Sequence, residues 1–148
     1  MEIADKIGEL STCPRKAVGA VIIRDGRAIS WGYNGAPPGT PHCEENHHGW
    51  DNPMGDEDWR ENMLHDHGCR NATHAEANAI CFAAKQGIST DNSILLVGVS
   101  PCRECARLII ASGIREVYYR ELYRDQAGVD LLEYAGVQTW HIDLDSIT

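Results

Sequence analysis

The chain has 148 residues, 43% hydrophobic and 24% charged, with a formal net charge of −9. That length fits one domain able to bury its own core, and the balance is that of a globular rather than a disordered protein. The acidic balance weighs against a broad basic face for nucleic-acid phosphates, and no apolar run approaches the ~18 residues of a membrane span. The N-terminal MEIADKIGELS has no apolar signal-peptide core, so a cytoplasmic protein is expected. There, six cysteines point to metal or redox chemistry rather than to disulfides.

Ile3, Ile7 and Leu10 recur at helical spacing and predict a short amphipathic helix over 2–11. Ala17–Arg24 reads as a buried strand, Asp25–Arg27 as a tight hairpin turn, and Ala28–Asn34 as the partner strand. From Gly35 to Asn71 the pattern lapses into a long loop that holds four of the six prolines and five of the seven histidines. A loop of that length in a compact domain is usually functional or mobile. A helix is predicted from Thr73 to Lys85, ended by Gly87. Ser93–Val99 is a continuous apolar run, as in a strand buried on both faces. A helix from Pro101 to Ser112 follows, with Pro101 in its first turn and Gly113 as its stop. Arg115–Tyr119 is a strand, Asp125–Tyr134 a helix and Val137–Ile142 a last strand. The order α-β-β-α-β-α-β-α-β predicts one α/β domain over 1–148, with parallel pairing and right-handed crossovers in its second half.

Two short motifs carry chemistry: His74-Ala75-Glu76, and Pro101-Cys102-Arg103-Glu104-Cys105, each at a strand-to-helix junction. One imidazole and two thiolates leave the fourth position of a tetrahedral zinc open, which is the catalytic arrangement. Placed in a first helical turn, the cysteines are favoured as thiolates by the helix dipole. Zinc brings the pKa of water to ~7, and Glu76 is positioned to carry a proton from that water to a ring nitrogen and then to departing ammonia. The bland readings are a redox Cys-x-x-Cys, half of a structural zinc knuckle, and Glu76 as an ordinary first-turn carboxylate. Taken together and in this order, the motifs match the signature of zinc deaminases.

With those motifs, Ser11–Gly39, Pro41–Cys43 and Cys69–Ile80 resemble the deoxycytidylate (dCMP) deaminases of the cytidine deaminase superfamily. The resemblance covers nearly the whole chain, and Gly32-Tyr33-Asn34-Gly35 and Ser11-Thr12-Cys13 separate this group from other zinc deaminases better than the zinc motif does. It implies a three-layer α-β-α fold, with a central five-stranded mixed sheet and helices on both faces. It implies hydrolysis of dCMP to dUMP and ammonia, supplying the precursor of thymidylate. It also implies a homohexamer activated by dCTP (with Mg²⁺) and inhibited by dTTP, Gly32, Tyr33, Gly35 and Arg24 being candidates for the effector site. The ring carbonyl would be held by backbone near Ala75, with Glu76 on the ring nitrogen and Asn34 facing the deoxyribose. The other reading of Asn34 is a turn asparagine before glycine.

An acidic chain must place its phosphate-binding cations locally. Arg15 and Lys16 are the first candidates, Arg103 and Arg107 the next, and Tyr118 is a candidate for the site mouth. Some members of the family carry a second, structural zinc, for which Cys13, Cys43, Cys69 and His67 are the expected ligands, ahead of His42 and His65; the alternative is free thiols and solvated histidines. Cys81 is expected to be a small core residue. The rivals are a cytidine or tRNA adenosine deaminase, which share the zinc chemistry, and a non-catalytic zinc protein, which has no need of Glu76.

Overall fold

The computed structural model describes residues 1–13, 15–40, 42 and 72–143. The first helix, α1 (Glu2–Gly8), is shorter than its periodicity suggests. It sits directly on the backbone of Gly19, where a Cβ would lie 1.9 Å from the Ala4 carbonyl oxygen. Any side chain at Gly19 would push α1 off the sheet.

The hairpin forms between β1 (Gly19–Arg24) and β2 (Arg27–Tyr33), paired antiparallel from Gly19↔Tyr33 to Arg24↔Arg27 with a register shift at Ile22/Ile23. Asp25 and Gly26 turn the chain with φ of 52° and 72°, both positive as a two-residue hairpin turn of the favoured hand requires. β1 also pairs antiparallel with β3 (Ile94–Val99), and β3, β4 (Glu116–Glu121) and β5 (Gln138–His141) run parallel. The sheet order is β2-β1-β3-β4-β5, the mixed five-stranded sheet that was expected. Parallel neighbours need long crossovers, and these contain α3 (Arg103–Ala111) and α4 (Ala127–Tyr134).

Side chains alternate across a sheet, so neighbouring positions tell the faces apart. Gly19 faces α1, whereas Gly32, the partner of Ala20, lies under α2 (Ala75–Lys85): a Cβ there would be 2.4 Å from the Ala79 nitrogen. α2 packs on β2 and β1, α3 against α2 and α4. Among the described residues, helices therefore cover both faces, three on one and α1 on the other. The core lies between the sheet and the three-helix side: Ala20, Ile22, Leu95, Val97 and Val117 meet Ala79, Ile109 and Leu132. Each large member contributes about 1.5–3 kcal/mol by leaving water. The expectation that the β3 strand is buried on both faces is corrected. Ile94 and Leu96 are only half-buried, because α1, at seven residues, is too short to roof the whole sheet.

Gly87 and Gly113 have φ of 68° and 77° just beyond α2 and α3, the left-handed stops that were predicted. The helix starts differ. His74 and Cys102 are the residues before α2 and α3, with extended backbones, and Pro101 lies ahead of its helix instead of in its first turn. Of the long loop, Gly35 pairs with Thr73 in an isolated antiparallel bridge, which brings the end of β2 beside His74. Residues 43–71, with Cys43, His65, His67 and Cys69, lie outside the described residues. Among those described, no helix is long and apolar enough to cross a membrane.

Candidate active site

At the cap of a helix the backbone is extended, so the side chain turns back over the open end. His74 at α2 (φ −70°, ψ 155°) and Cys102 at α3 (φ −70°, ψ 168°) both have the extended backbone of a cap, and of the two only Cys102 makes a side-chain cap bond. The Cys102 sulfur accepts the Cys105 N–H at 3.5 Å. Cys105 follows in the first turn. His74 Nδ1 lies 3.5 Å from Cys102 Sγ and 3.4 Å from Cys105 Sγ, and all three atoms lie within 4.8 Å of one another. Zinc–nitrogen and zinc–sulfur bonds in a tetrahedron place such ligands roughly 3.5 Å apart. The donor set fits zinc without rearrangement.

α4 supports this junction closely: a Cβ on Gly128 would stand 1.9 Å from the Pro101 carbonyl oxygen. Without metal the two sulfurs share a proton unequally. The hydrogen bond from Cys105 pulls the Cys102 thiol down to about 3, with help from His74. The same bond, with burial, pushes the Cys105 thiol up. Hydrogen bonding to Cys102 raises His74 against the opposing effect of burial. Glu76, two residues beyond His74, is 4% exposed. Burial raises its carboxyl above the ordinary carboxylate range, although its own backbone N–H and His74 favour the charged form.

These groups lie at the bottom of a cleft of about 330 Å³, at the small end of the range for small-molecule sites. Its lining joins most of the residues singled out from the sequence: His74, Ala75, Glu76, Cys102, Asn34, Arg15 and Lys16. Asn34 is buried, lines the cleft and bonds the backbone through both ends of its amide. Its Oδ1 accepts the Val18 N–H and its Nδ2 donates to the Lys16 carbonyl, each at 2.8 Å, while Ser11 Oγ donates to the Asn34 carbonyl at 2.7 Å. The asparagine thereby staples the segment before β1 to the end of β2 and brings Arg15 and Lys16 to the rim. Lys16 Nζ is ion-paired with Glu121. Cys13 also lines the cleft, whereas its expected companions Cys43, His67 and Cys69 lie outside the described residues.

Other expectations are corrected. Tyr118 does not reach the site mouth. It faces away from the cleft, in a hollow with Ile3, Leu96 and Ile142, donates to Glu116 at 2.8 Å and stacks on Trp140. Strand parity is the reason, since Tyr119 turns into the core. Arg24 donates to the Ser89 carbonyl, at the turn end of the hairpin, while Gly32, Tyr33 and Gly35 line a separate hollow of about 480 Å³ at the other end. The proposed effector residues therefore do not converge. Arg107 forks onto Glu104 at 2.8 and 2.9 Å, and neither it nor Arg103 lines the cleft. Cys81 is exposed. Ser100, Leu122, Tyr123 and Arg124 line the cleft without having been marked in the sequence. Ligands bind outside the carboxyl ends of parallel strands, and the ends of β3 and β4 lead directly into these residues.

A mixed α/β sheet carrying a His-Cys-Cys triad on two helix N-termini, with a buried glutamate beside it, defines the zinc-dependent deaminase class. The chain belongs to the family described as "Cytidine and deoxycytidylate deaminase zinc-binding region", whose model matches residues 1–121. It is 41% identical over 138 residues to ComE operon protein 2 of Bacillus subtilis, covering 93% of this chain but 66% of that protein, slightly less than two thirds of its length. It is 34% identical to the deoxycytidylate deaminase of Enterobacteria phage T2, covering 96% of this chain and 89% of the phage enzyme. The solved structure of the dCMP deaminase of cyanophage S-TIM5 in complex with dCMP and dUMP superposes with a TM-score of 0.78 at 32% identity, over 95% of this chain and 92% of that one.

Proposed function

We propose that the chain converts dCMP and water to dUMP and ammonia. The observation that carries this reading is a single cleft joining the buried Glu76 and the His74-Cys102-Cys105 triad to the cationic residues Arg15 and Lys16. The relatives from phage T2 and cyanophage S-TIM5 support the choice of dCMP.

Held by His74, Cys102 and Cys105, a zinc ion supplies the Lewis acidity that makes water a nucleophile near neutral pH. The chain moves the protons. Glu76 accepts one as water adds to C4 of the ring and hands it to N3, where it stays in the product. It then takes the remaining hydroxyl proton and delivers it to the amino group, which leaves as ammonia. A carboxyl raised by burial holds a proton long enough to pass it on. The Ala75 backbone holds the ring carbonyl, and Asn34 faces the deoxyribose while ordering the segment that carries Arg15 and Lys16.

The finer reading rests on the family resemblance. The product dUMP feeds thymidylate synthesis in the cytoplasm, and a hexamer responds to dCTP with Mg²⁺ and to dTTP, with Gly32, Tyr33 and Gly35 at the effector hollow. Cys13, Cys43, Cys69 and His67 hold a second zinc.

Ammonia release from dCMP, deoxycytidine, cytidine and adenosine, with and without dCTP, tests the reading. Turnover of dCMP well above the nucleosides is expected; equal or better turnover of deoxycytidine overturns the phosphate role. A Cys13→Ala variant is expected to lose one of two zinc ions per chain, and unchanged metal content rules the second site out.

A further inference from the structure

Asn34-Gly35 is the one Asn-Gly pair in the sequence. Asparagine is a thermolabile residue, and glycine after it puts no side chain in the way of its own backbone nitrogen. That nitrogen attacks the asparagine Cγ, the side-chain nitrogen leaves as ammonia with the displaced proton, and a cyclic imide closes. Water then opens the imide at either carbonyl, leaving aspartate or isoaspartate. The balance is amide plus water to carboxylic acid plus ammonia, with no oxidant or cofactor.

The fold holds this pair where it cannot react. Asn34 is 8% exposed. Its side-chain amide is bonded to the Val18 N–H and the Lys16 carbonyl. Its own N–H donates to the Val18 carbonyl at 3.1 Å, and its carbonyl accepts Ser11 Oγ. The attacking nitrogen is engaged as well: the Gly35 N–H donates to the Thr73 carbonyl at 3.1 Å, and the Thr73 N–H returns a bond to the Gly35 carbonyl at 2.8 Å. Attack requires that the Gly35 nitrogen leave Thr73 for Cγ, that the Asn34 amide be released and that water enter. The chemistry therefore belongs to an opened state, and its rate follows the population of that state.

The Gly35–Thr73 pair is an isolated bridge, so little else shares the cost of opening it. Thr73 is followed directly by His74, whose Nδ1 lies 3.5 Å from Cys102 Sγ and 3.4 Å from Cys105 Sγ. A metal gripped by these three residues ties the chain at Thr73 to the start of α3. Once modified, the staple between Asn34 and the segment before β1 cannot re-form. Aspartate at 34 has no donor for the Lys16 carbonyl and buries a charge against it. Isoaspartate lengthens the main chain by one carbon and carries Gly35 out of register with Thr73.

We propose that Asn34 is a modification site gated by the metal centre: zinc at His74 keeps the Gly35–Thr73 bridge closed, and loss of the metal opens Asn34 to deamidation, which makes loss of the cleft permanent. This rests on the zinc reading of the triad.

The test incubates zinc-loaded and chelator-stripped protein side by side at mildly alkaline pH and follows the peptide carrying Asn34 by mass. Conversion of amide to acid raises that mass, whereas isomerisation at Asp25-Gly26 leaves mass unchanged. A ligand that binds only the closed state lowers the open population, so modification at Asn34 is expected roughly 10- to 100-fold faster in the stripped chain. Gly35→Ala, whose Cβ would rest 3.4 Å from Thr12 Oγ1, an ordinary contact, is expected to suppress the reaction in the stripped chain. Zinc given back should restore dUMP binding only to the unmodified fraction. Equal rates at Asn34 with and without zinc, or recovery of dUMP binding by the modified fraction, overturn the proposal. Metal analysis before incubation separates the two readings: a chain that takes up no zinc sinks the zinc reading and the gate with it, whereas zinc uptake with equal rates sinks only the gate.

Discussion

The floor of the cleft is assembled from two helix N-termini and the end of β3, and Ala75, Glu76 and Ser100 are almost dry there. Its rim is assembled from exposed side chains of two stretches of irregular chain, before β1 and after β4. On the floor, a polar group without its partner carries the full desolvation penalty, so each residue is committed to one role. At the rim water competes for every contact, each residue matters less, and charges tune affinity more than chemistry.

The largest effect should come from Glu76→Gln, which keeps the shape of the floor and removes its proton carrier. Turnover is expected to fall by about 10²–10⁴-fold with zinc content retained; near-normal ammonia release would show that the floor is not where the chemistry lies. Metal uptake should itself depend on pH. In the metal-free chain His74 and Cys105 hold protons above their usual ranges, whereas Cys102 is already a thiolate. Zinc must displace the protons that are held, so affinity should rise with pH and binding should release protons. Calorimetry in buffers of different ionisation enthalpy measures that release, and its absence would contradict the assigned ligand set.

Next in size is Gly128→Ala, which forces a Cβ toward the Pro101 carbonyl. A loss of about 1–3 kcal/mol is expected, read as a lower Tm together with weaker zinc binding; an unchanged Tm would show that α4 does not brace the floor. The smallest effect belongs to the rim. Glu121→Gln releases Lys16 from its ion pair, and exposed pairs are worth about 0–1 kcal/mol. KM for dCMP should drop by no more than about fivefold, with the difference fading at high salt. A large change in kcat would place Glu121 on the floor's side of the comparison.

The two regions were not equally legible. His74, Glu76, Cys102 and Cys105 could be read directly, because ligand spacing within a helix turn and helix starts after apolar strands are local patterns. Even so, a residue's place at the cap rather than inside the helix came only with the backbone. Arg15 and Lys16 were marked for their charge, yet the pairing of Lys16 with Glu121, 105 positions away, depends on β3 pairing with β1 on one side and β4 on the other. Tyr118 and Tyr119 alternate along one strand, and of the two Tyr118 was expected at the site mouth. Which of them turns inward was decided by the register of β4 against β3, where one residue of slip exchanges the faces. Arg24 and Gly32 looked near enough to share a site, but an extended hairpin carries them to opposite ends.

By itself the sequence determined the order of elements, the glycine stops and the zinc triad with its glutamate, since each is written in short-range periodicity and spacing; the family came from the resemblance of whole segments. Tertiary structure alone decided which cations reach the cleft, that neither Tyr118 nor Tyr119 lines it, and that Tyr123 and Arg124 do. Those outcomes depend on sheet order and strand parity, through contacts between segments with no fixed separation along the chain.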